Sequence, residues 1–382
     1  MSDIHTEVYD VSVVGGGIVG ASAAYHALRA GAKTLLIDRQ DAGRATDAGA
    51  GILAPEMNRR DPDAWFDFAV EAVDYYPDLV AALAEEGAGE TSYARCGMLL
   101  VAATPDEQPL FEEAQRAILA RQKARQSPSP DDLHPVTPQE ARDLFPALGD
   151  VLGALYYRHA ARVDGGLLAQ ALRRAAQKRG VRLLAGSVDR LAVAGARVTG
   201  VMVGGDILSA ATTIIAGGAW SSAFGDPLGV RIPVEPQRGQ IAHLQLAGAQ
   251  TDGWPIVGAF RGHYLVPWPG GRIAAGATRE TGSGFQAATS AAGIHEVLGE
   301  ALRVAPGLAP ASLLEMRVGL RPLTADGLPV LGRVPGWEGV LIATGHGPTG
   351  LQFGPYSGKI VAEMAQGQTP AVDLRPFAID RF

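Results

Sequence analysis

Val11-Ser12-Val13-Val14-Gly15-Gly16-Gly17-Ile18-Val19-Gly20 lies near the start of the chain, and the remaining residues are read outward from it. Residues 11–14 read as a short buried strand. Gly15, Gly17 and Gly20 then stand at the spacing that turns a strand tightly into a helix. The first glycine permits the turn, the second admits a pyrophosphate to the backbone, and the third lets helix and strand pack closely. Residues 21–30 continue as an Ala- and Leu-rich helix whose first N–H groups would face the phosphates, and Gly31 ends it. A second apolar strand, residues 34–37, delivers Asp38 about 20 residues after the loop, where a carboxylate accepts hydrogen bonds from a ribose diol. Strand, glycines, helix, strand and acid in that order predict a dinucleotide-binding βαβ unit; a Gly-rich turn in an ordinary βαβ unit is the alternative. Asp38 argues for an unphosphorylated ribose, hence FAD or NAD rather than NADP.

Composition narrows the class. Hydrophobic residues make up 47% and charged residues 19% of the 382, a soluble, ordered balance with core enough for two or three domains. Glycine is in excess at 49 residues, against a usual share of about 7%, which suits a chain holding an extended ligand against backbone in several places. A net charge of −7 and the lack of a Lys/Arg cluster interleaved with aromatics argue against nucleic acid as a partner. Cys96 is the single cysteine, which excludes intrachain disulfides and cysteine metal sites and points to a reducing compartment. Asp3 and Glu7 run straight into the first strand without a signal-peptide pattern, and no apolar run approaches the ~18 residues of a spanning helix. A cytoplasmic location is expected.

Further along, the small residues of 41–55 would let a flat ligand lie on main chain. Helical spacing of Trp65, Phe68, Ala69, Ala72, Val73, Tyr76, Leu79, Val80 and Leu83 predicts a helix over 63–85 that breaks near Pro77. Residues 98–102 read as a strand, 106–125 as an amphipathic helix and 127–132 as an exposed linker. Asp164 is placed to cap a helix over 165–178, and 181–213 reads as a small antiparallel meander. Short strands and turns fill 232–282, a helix follows over 290–304, and 320–331, 340–344 and a last helix over 351–365 return to the first domain. The expected division is 1–90, 150–230 and 318–382 for a discontinuous dinucleotide-binding domain, with 91–149 and 231–317 forming a substrate domain.

The opening loop with Asp38, the run from Arg44 to Leu53, Ala216-Gly217-Gly218-Ala219-Trp220-Ser221, Gly319-Leu320-Arg321-Pro322 with Asp326-Gly327, and Gly345-His346-Gly347-Pro348-Thr349-Gly350 resemble, in order and spacing, the D-amino-acid oxidase family of flavoproteins. The look is nearest to the glycine oxidases, and the likeness spans nearly the whole chain. It implies an α/β FAD-binding domain of Rossmann type, with the GxGxxG loop in a βαβ unit. A second, α+β substrate domain built on an antiparallel sheet would cover the flavin. FAD is expected to be non-covalent, because Gly319 stands where sarcosine oxidases attach it through a cysteine. Beside Gly15, Gly17 and Gly20, the resemblance assigns to FAD Ile18, Val19, Asp38, Arg39, Arg44, Ala45, Thr46, Ala50, Gly51, Ile52, Val188 through its backbone, Gly217, His346, Gly347, Pro348, Thr349, Gly350, Leu351 and Gln352.

The implied activity is oxidative deamination of a D-amino acid. A hydride leaves the amine-bearing carbon for flavin N5, the imine hydrolyses to a 2-oxo acid and ammonia, and oxygen or another acceptor reoxidises the flavin. Arg321 ends an apolar strand before Pro322, where a buried guanidinium needs a partner. It can hold a carboxylate by two parallel hydrogen bonds, the alternative being a structural ion pair. Tyr264, in Gly262-His263-Tyr264-Leu265-Val266-Pro267, matches the family's tyrosine and would bind the same carboxylate; read alone, a strand tyrosine is core. Gly345 to Gly350 would set backbone donors and a helix N-terminus beside flavin N1 and O2, or would simply cap a helix. No general base is required, since positioning supplies most of the catalysis.

Two departures bear on the substrate. Pro348 stands where glycine oxidases carry an arginine, and Ile52 where they carry a methionine. A larger D-amino acid is therefore expected ahead of glycine, with Trp254, Trp268 and Phe260 as candidate pocket walls. His243, His263 and His346 show no metal-pair spacing and no Gly-x-Ser-x-Gly elbow follows a strand, so neither a metal site nor a serine hydrolase is expected. Competing readings are a glycine- or sarcosine-type amine oxidase, a dehydrogenase passing electrons to a quinone or protein partner, an electron-transfer subunit that binds FAD without a substrate, and an NAD-linked dehydrogenase. The expected partners are a small amino-acid or amine substrate and oxygen or another electron acceptor, with homo-oligomerisation left open.

Overall fold

Tyr9–Val14 is buried along its length except at Asp10 and sits in the middle of a parallel sheet. Thr34–Asp38 and then Arg182–Ala185 lie on one side of it, Asp206–Ile215 and then Val340–Thr344 on the other, each parallel to its neighbour. Val330–Arg333 pairs antiparallel at the far edge. The first half of Asp206–Ile215 runs into an antiparallel ribbon with Arg197–Val203 and Arg190–Ala194. The computed structural model describes residues 7–59 and 63–382, so Asp3, weighed above for the N-terminus, lies outside the described residues. Arg182–Ala185 belongs to the parallel sheet, not to the meander in which the sequence reading counted it. Its exposed side chains give it the alternating look of a surface ribbon, although its backbone pairs with Thr34–Asp38.

The helix Ile18–Arg29 lies against the last long helix, Gly350–Ala365, at a glycine crossing: a Cβ at Gly358 would lie 2.5 Å from the Val19 carbonyl oxygen. Pro355, inside that last helix, has no N–H for the Leu351 carbonyl, a defect that costs ~3 kcal/mol when nothing compensates. The Tyr76 hydroxyl donates to the Leu351 carbonyl instead, and the Pro355 carbonyl accepts from Ser22 Oγ at 2.6 Å. Tyr76 itself starts the second of two helices, Asp63–Asp74 and Tyr76–Glu85, which part at Tyr75.

A second sheet runs in the order Leu133–Val136, Gly153–Tyr157, Met98–Ala102, Ile256–Gly258, Tyr264–Trp268, Arg272–Gly276, Glu235–Gln245, Ser312–Leu323, with Glu280–Thr281 also paired to Glu235–Gln245. Its pairings are antiparallel except that of Met98–Ala102 with Ile256–Gly258. Ser290 caps the helix Ala291–Val304, its Oγ accepting from the Gly293 N–H at 3.1 Å. The helix buries Val297, Ala301 and Val304 with Leu244 and Ile273 of the sheet. Burial of each such valine is worth about 1.5–3 kcal/mol.

Two boundaries drawn from the sequence move. Gly153–Tyr157, counted with the first domain, hydrogen-bonds in the second sheet with Met98–Ala102. The segment 318–323 also stays in the second sheet, as the end of the continuous strand Ser312–Leu323, and only Val330–Arg333 joins the first. The two sheets with their helices make a two-domain α/β fold, and no helix among the described residues is long and apolar enough to cross a membrane.

Candidate active site

A cavity of about 650 Å³ opens where residues of both sheets meet. Gly15, Gly17, Ile18, Val19, Asp38, Arg39, Arg44, Ala45, Thr46, Ala50, Gly51, Ile52, Val188, Gly217, Tyr264, Arg321 and the run His346, Gly347, Pro348, Thr349, Gly350, Leu351 and Gln352 all line it. Gly20 does not. It stands behind the loop, where a Cβ would lie 1.8 Å from the Gly15 carbonyl oxygen, so its hydrogen is what lets helix and strand meet. Gly15 adopts φ +104°, and a Cβ there would lie 2.4 Å from the Ala216 carbonyl oxygen.

Thr46 Oγ1 accepts from the Ile18 N–H at 3.0 Å, which ties the loop after Asp38 to the start of the first helix. Arg44 bridges Asp38 at 2.9 Å and Asp47 at 2.8 Å, holding the Asp38 carboxylate beside Gly16. Arg173 donates to the Gly16 carbonyl at 2.7 Å. The sequence reading missed Arg173, because a cation on a helix far along the chain carries no local sign of a loop it will brace.

On another wall, Val340–Thr344 leads through Gly345 and His346 into a short 3₁₀ turn and the helix Gly350–Ala365, whose first turn faces the cavity. Such a helix start presents free N–H groups and partial positive charge. His346 is buried, with Nε2 on Ser357 Oγ at 3.0 Å, and burial lowers its pKa to about 3. It is therefore a neutral ring at any working pH. Gln352 Oε1 accepts from the Ala54 N–H at 3.2 Å, while its Nε2 is buried with no partner among the described residues. An unpartnered amide donor on a cavity wall, next to a glycine loop that a side chain could not replace, fits an extended polar cofactor.

Arg321 and Tyr264 come together in the second sheet. Leu320 reaches the loop after Asp38, its N–H donating to the Gly43 carbonyl at 2.8 Å, which sets Arg321 at the border of the two sheets. Arg321 Nη1 donates to the Thr278 carbonyl at 3.0 Å, and its guanidinium lies beside the Tyr264 hydroxyl. Burial raises the Tyr264 phenol above its ordinary pKa, with the Arg321 charge pulling the other way, so the hydroxyl keeps its proton. Two glycines make the room. A Cβ at Gly239 would lie 2.4 Å from the Arg321 guanidinium, and one at Gly276 would lie 2.8 Å from the Tyr264 hydroxyl. Neither glycine was nominated from the sequence, where nothing distinguishes them from turn glycines. Gly239→Ala is expected to displace the guanidinium and raise KM for a carboxylate substrate about 10-fold or more, an effect of ~1.4 kcal/mol; an unchanged KM would show that the guanidinium does not depend on this gap.

Trp254, Trp268 and Phe260 are not among the lining residues. Trp254 packs on Phe145, Trp268 lies between Arg162 and Arg272, and Phe260 is covered by Arg59 at 4.4 Å. Each sits in a strand or turn whose side chain faces the core instead. Ile52, Met98 and Ile241 line the cavity and pack with Tyr264, and Met57 and Arg279 line it too, the latter a cation the sequence reading passed over.

Three histidines are held neutral by the fold. Burial lowers His346 to about 3; burial together with Arg317 and Arg272 lowers His243 to about 4; burial together with Arg29 and Lys359 lowers His26 to about 3. The unfolded chain takes up a proton at each below about pH 6.5 and the folded chain does not. Their contribution to stability is therefore complete above that pH and is lost as pH falls toward 4 and 3. The loss is on the order of 1 kcal/mol per pH unit for each histidine. The urea midpoint is expected to be lower at pH 5 than at pH 7, and an equal midpoint would contradict this.

Residues 10–364 match the family model described as FAD dependent oxidoreductase. The chain belongs to that family. Among the relatives of this FAD-dependent oxidoreductase is an uncharacterized oxidoreductase, YurR, of Bacillus subtilis, 38% identical over 96% of this chain and 97% of its own length. A glycine oxidase of Pseudomonas aeruginosa is 30% identical over 96% of this chain and 98% of its own. Among solved structures, iminodiacetate oxidase (IdaA) of Chelativorans sp. BNC1 superposes with a TM-score of 0.90 at 37% identity, covering 96% of this chain and 98% of that one. The cofactor is FAD. Gly15 to Val19, Asp38, Arg44 to Thr46, Ala50 to Ile52 and His346 to Gln352 are the lining residues that would hold it.

Proposed function

We propose that this flavoprotein oxidises the carbon–nitrogen bond of a small amino carboxylate, either a D-amino acid or an N-substituted glycine. The observation that carries the reading is the pair Arg321 and Tyr264, a protonated guanidinium and a neutral phenol set together on the wall of the FAD cavity. A guanidinium takes a carboxylate by two parallel hydrogen bonds, and the phenol adds a third donor. Fixing the carboxylate fixes the carbon next to it, which is the carbon that bears the amine.

Bound FAD supplies a two-electron acceptor for the hydride that this carbon gives up. The substrate nitrogen loses a proton, the carbon–nitrogen bond becomes an imine, and water then yields an oxo acid and ammonia or a primary amine. No side chain among those near Arg321 has to act as a base. His346 is neutral and committed to Ser357, so it orients the loop and is not assigned a proton-transfer role.

The likeness to iminodiacetate oxidase supports secondary amines as substrates alongside primary ones. Without Trp254, Trp268 and Phe260 as walls, little speaks for a bulky apolar side chain. The test is anaerobic bleaching of the bound flavin by a panel of D- and L-amino acids, glycine, sarcosine and iminodiacetate, followed by air. Bleaching by D-amino acids or N-substituted glycines, with colour and peroxide returning in air, supports an oxidase; bleaching without return in air supports a dehydrogenase. A flavin that none of them bleaches would overturn the reading.

A further inference from the structure

Arg321 is not the only guanidinium on the cavity wall. Arg279 also lines the cavity, from its solvent-exposed edge, and it stands close enough to Tyr264 and Arg321 for its charge to act on both. Its Nη1 donates to the Gly262 carbonyl at 2.6 Å. Gly262 makes that approach possible, since a Cβ there would lie 2.3 Å from the same nitrogen. Among the described residues no carboxylate forms an ion pair with Arg279. The adjacent Glu280 is taken by Arg238, by Gln240 Nε2 at 2.6 Å and by Thr278 Oγ1 at 2.7 Å. The acids that do line the cavity, Asp38 and Asp41, are paired with Arg44 at 2.9 Å and Arg39 at 2.7 Å. Two like charges thus face one space with no acid between them among the described residues. One carboxylate at Arg321 and Tyr264 leaves Arg279 at the cavity edge without an acid partner among the described residues.

We infer that Arg279 binds a second carboxylate of the substrate, so that the preferred amines are dicarboxylic. The second carboxylate belongs either to an N-carboxymethyl group or to an acidic side chain, and both place an anion a few bonds from the reacting carbon. Arg279 is then a specificity residue, and it would supply a second cation in a pocket where Pro348 stands in place of the arginine of glycine oxidases. This inference rests on the proposed oxidation of an amino carboxylate.

The test pairs diacids with monoacids of the same shape: iminodiacetate against sarcosine and D-aspartate against D-alanine, each as substrate of the flavin-loaded protein. Diglycolate against methoxyacetate, which carry oxygen in place of nitrogen, reports binding alone through the flavin spectrum. The wild-type protein is expected to favour one or both diacids in kcat/KM by at least about 10-fold, and to bind diglycolate more tightly than methoxyacetate by a similar factor. The preferred member identifies which position carries the second carboxylate. Arg279→Gln is expected to cut each diacid-to-monoacid ratio about 10- to 100-fold, and Arg279→Lys to restore part of it. Ratios near one in the wild-type protein, or ratios that Arg279→Gln leaves in place, would overturn the assignment while the oxidation itself stands. If none of the four amines bleaches the flavin the assignment falls, and the oxidation falls with it only if the wider panel of amino acids and glycine fails as well.

Discussion

Arg321→Met is expected to lower kcat/KM for any amino carboxylate by roughly 30- to several thousand-fold, since removing one partner of a buried, hydrogen-bonded charge pair costs about 2–5 kcal/mol. Methionine keeps most of the volume and removes every donor, so the Thr278 carbonyl loses its partner and the substrate carboxylate would be left with Tyr264 alone. The loss should fall on kcat as well as KM, because a carboxylate that is not clamped no longer fixes the neighbouring carbon. Arg321→Lys keeps the charge but not the fork, and should lie between the two. Flavin content and the urea midpoint should stay near those of the parent. A variant that holds flavin and turns over at the parent rate would remove Arg321 from the site.

Gly15→Ala is expected to yield protein that is largely colourless. The position needs φ +104°, which an L side chain rarely adopts, and the new Cβ would meet the Ala216 carbonyl oxygen at 2.4 Å. Main chain must move at the turn that a pyrophosphate would occupy, and the Ala216–Gly217 wall of the cavity must move with it. Strain of this kind costs on the order of 1–3 kcal/mol in the fold, and the lost cradle adds to it in cofactor binding. The measurement is flavin absorbance per mole of purified chain, with circular dichroism to show that the sheets remain. A full complement of flavin in Gly15→Ala would mean that the loop does not hold the phosphates.

The glycine loop was legible because its physics is local: turn, backbone approach and helix contact each demand glycine at one position. Arg321 itself stood out for a related reason, as a charge that ends an apolar run and has to be answered, although its strand was assigned to the wrong sheet. Gly239 and Gly276 were not, since their purpose is to leave space for side chains that arrive from other strands. Arg182–Ala185 and Gly153–Tyr157 were misplaced because strand partners are chosen by tertiary packing, and a short strand's own pattern does not name its sheet. The same holds for Trp268, which its strand turns into the core, and for Trp254, which packs on Phe145 from the coil before a strand. Tyr76 donating to the carbonyl that Pro355 leaves free could not be anticipated either, for it joins positions that only the fold brings together.

The central claim is that a carboxylate held by Arg321 and Tyr264 presents the carbon–nitrogen bond for oxidation. It is tested most directly by the anaerobic rate of flavin bleaching for an amino acid and for its own amide: D-alanine against D-alaninamide, and glycine against glycinamide. Each pair differs by one negative charge and little in shape. The acids should bleach the flavin and the amides should do so at least about 100-fold more slowly, the factor expected when a charged hydrogen-bonded partner is lost. Equal rates for acid and amide would contradict the account.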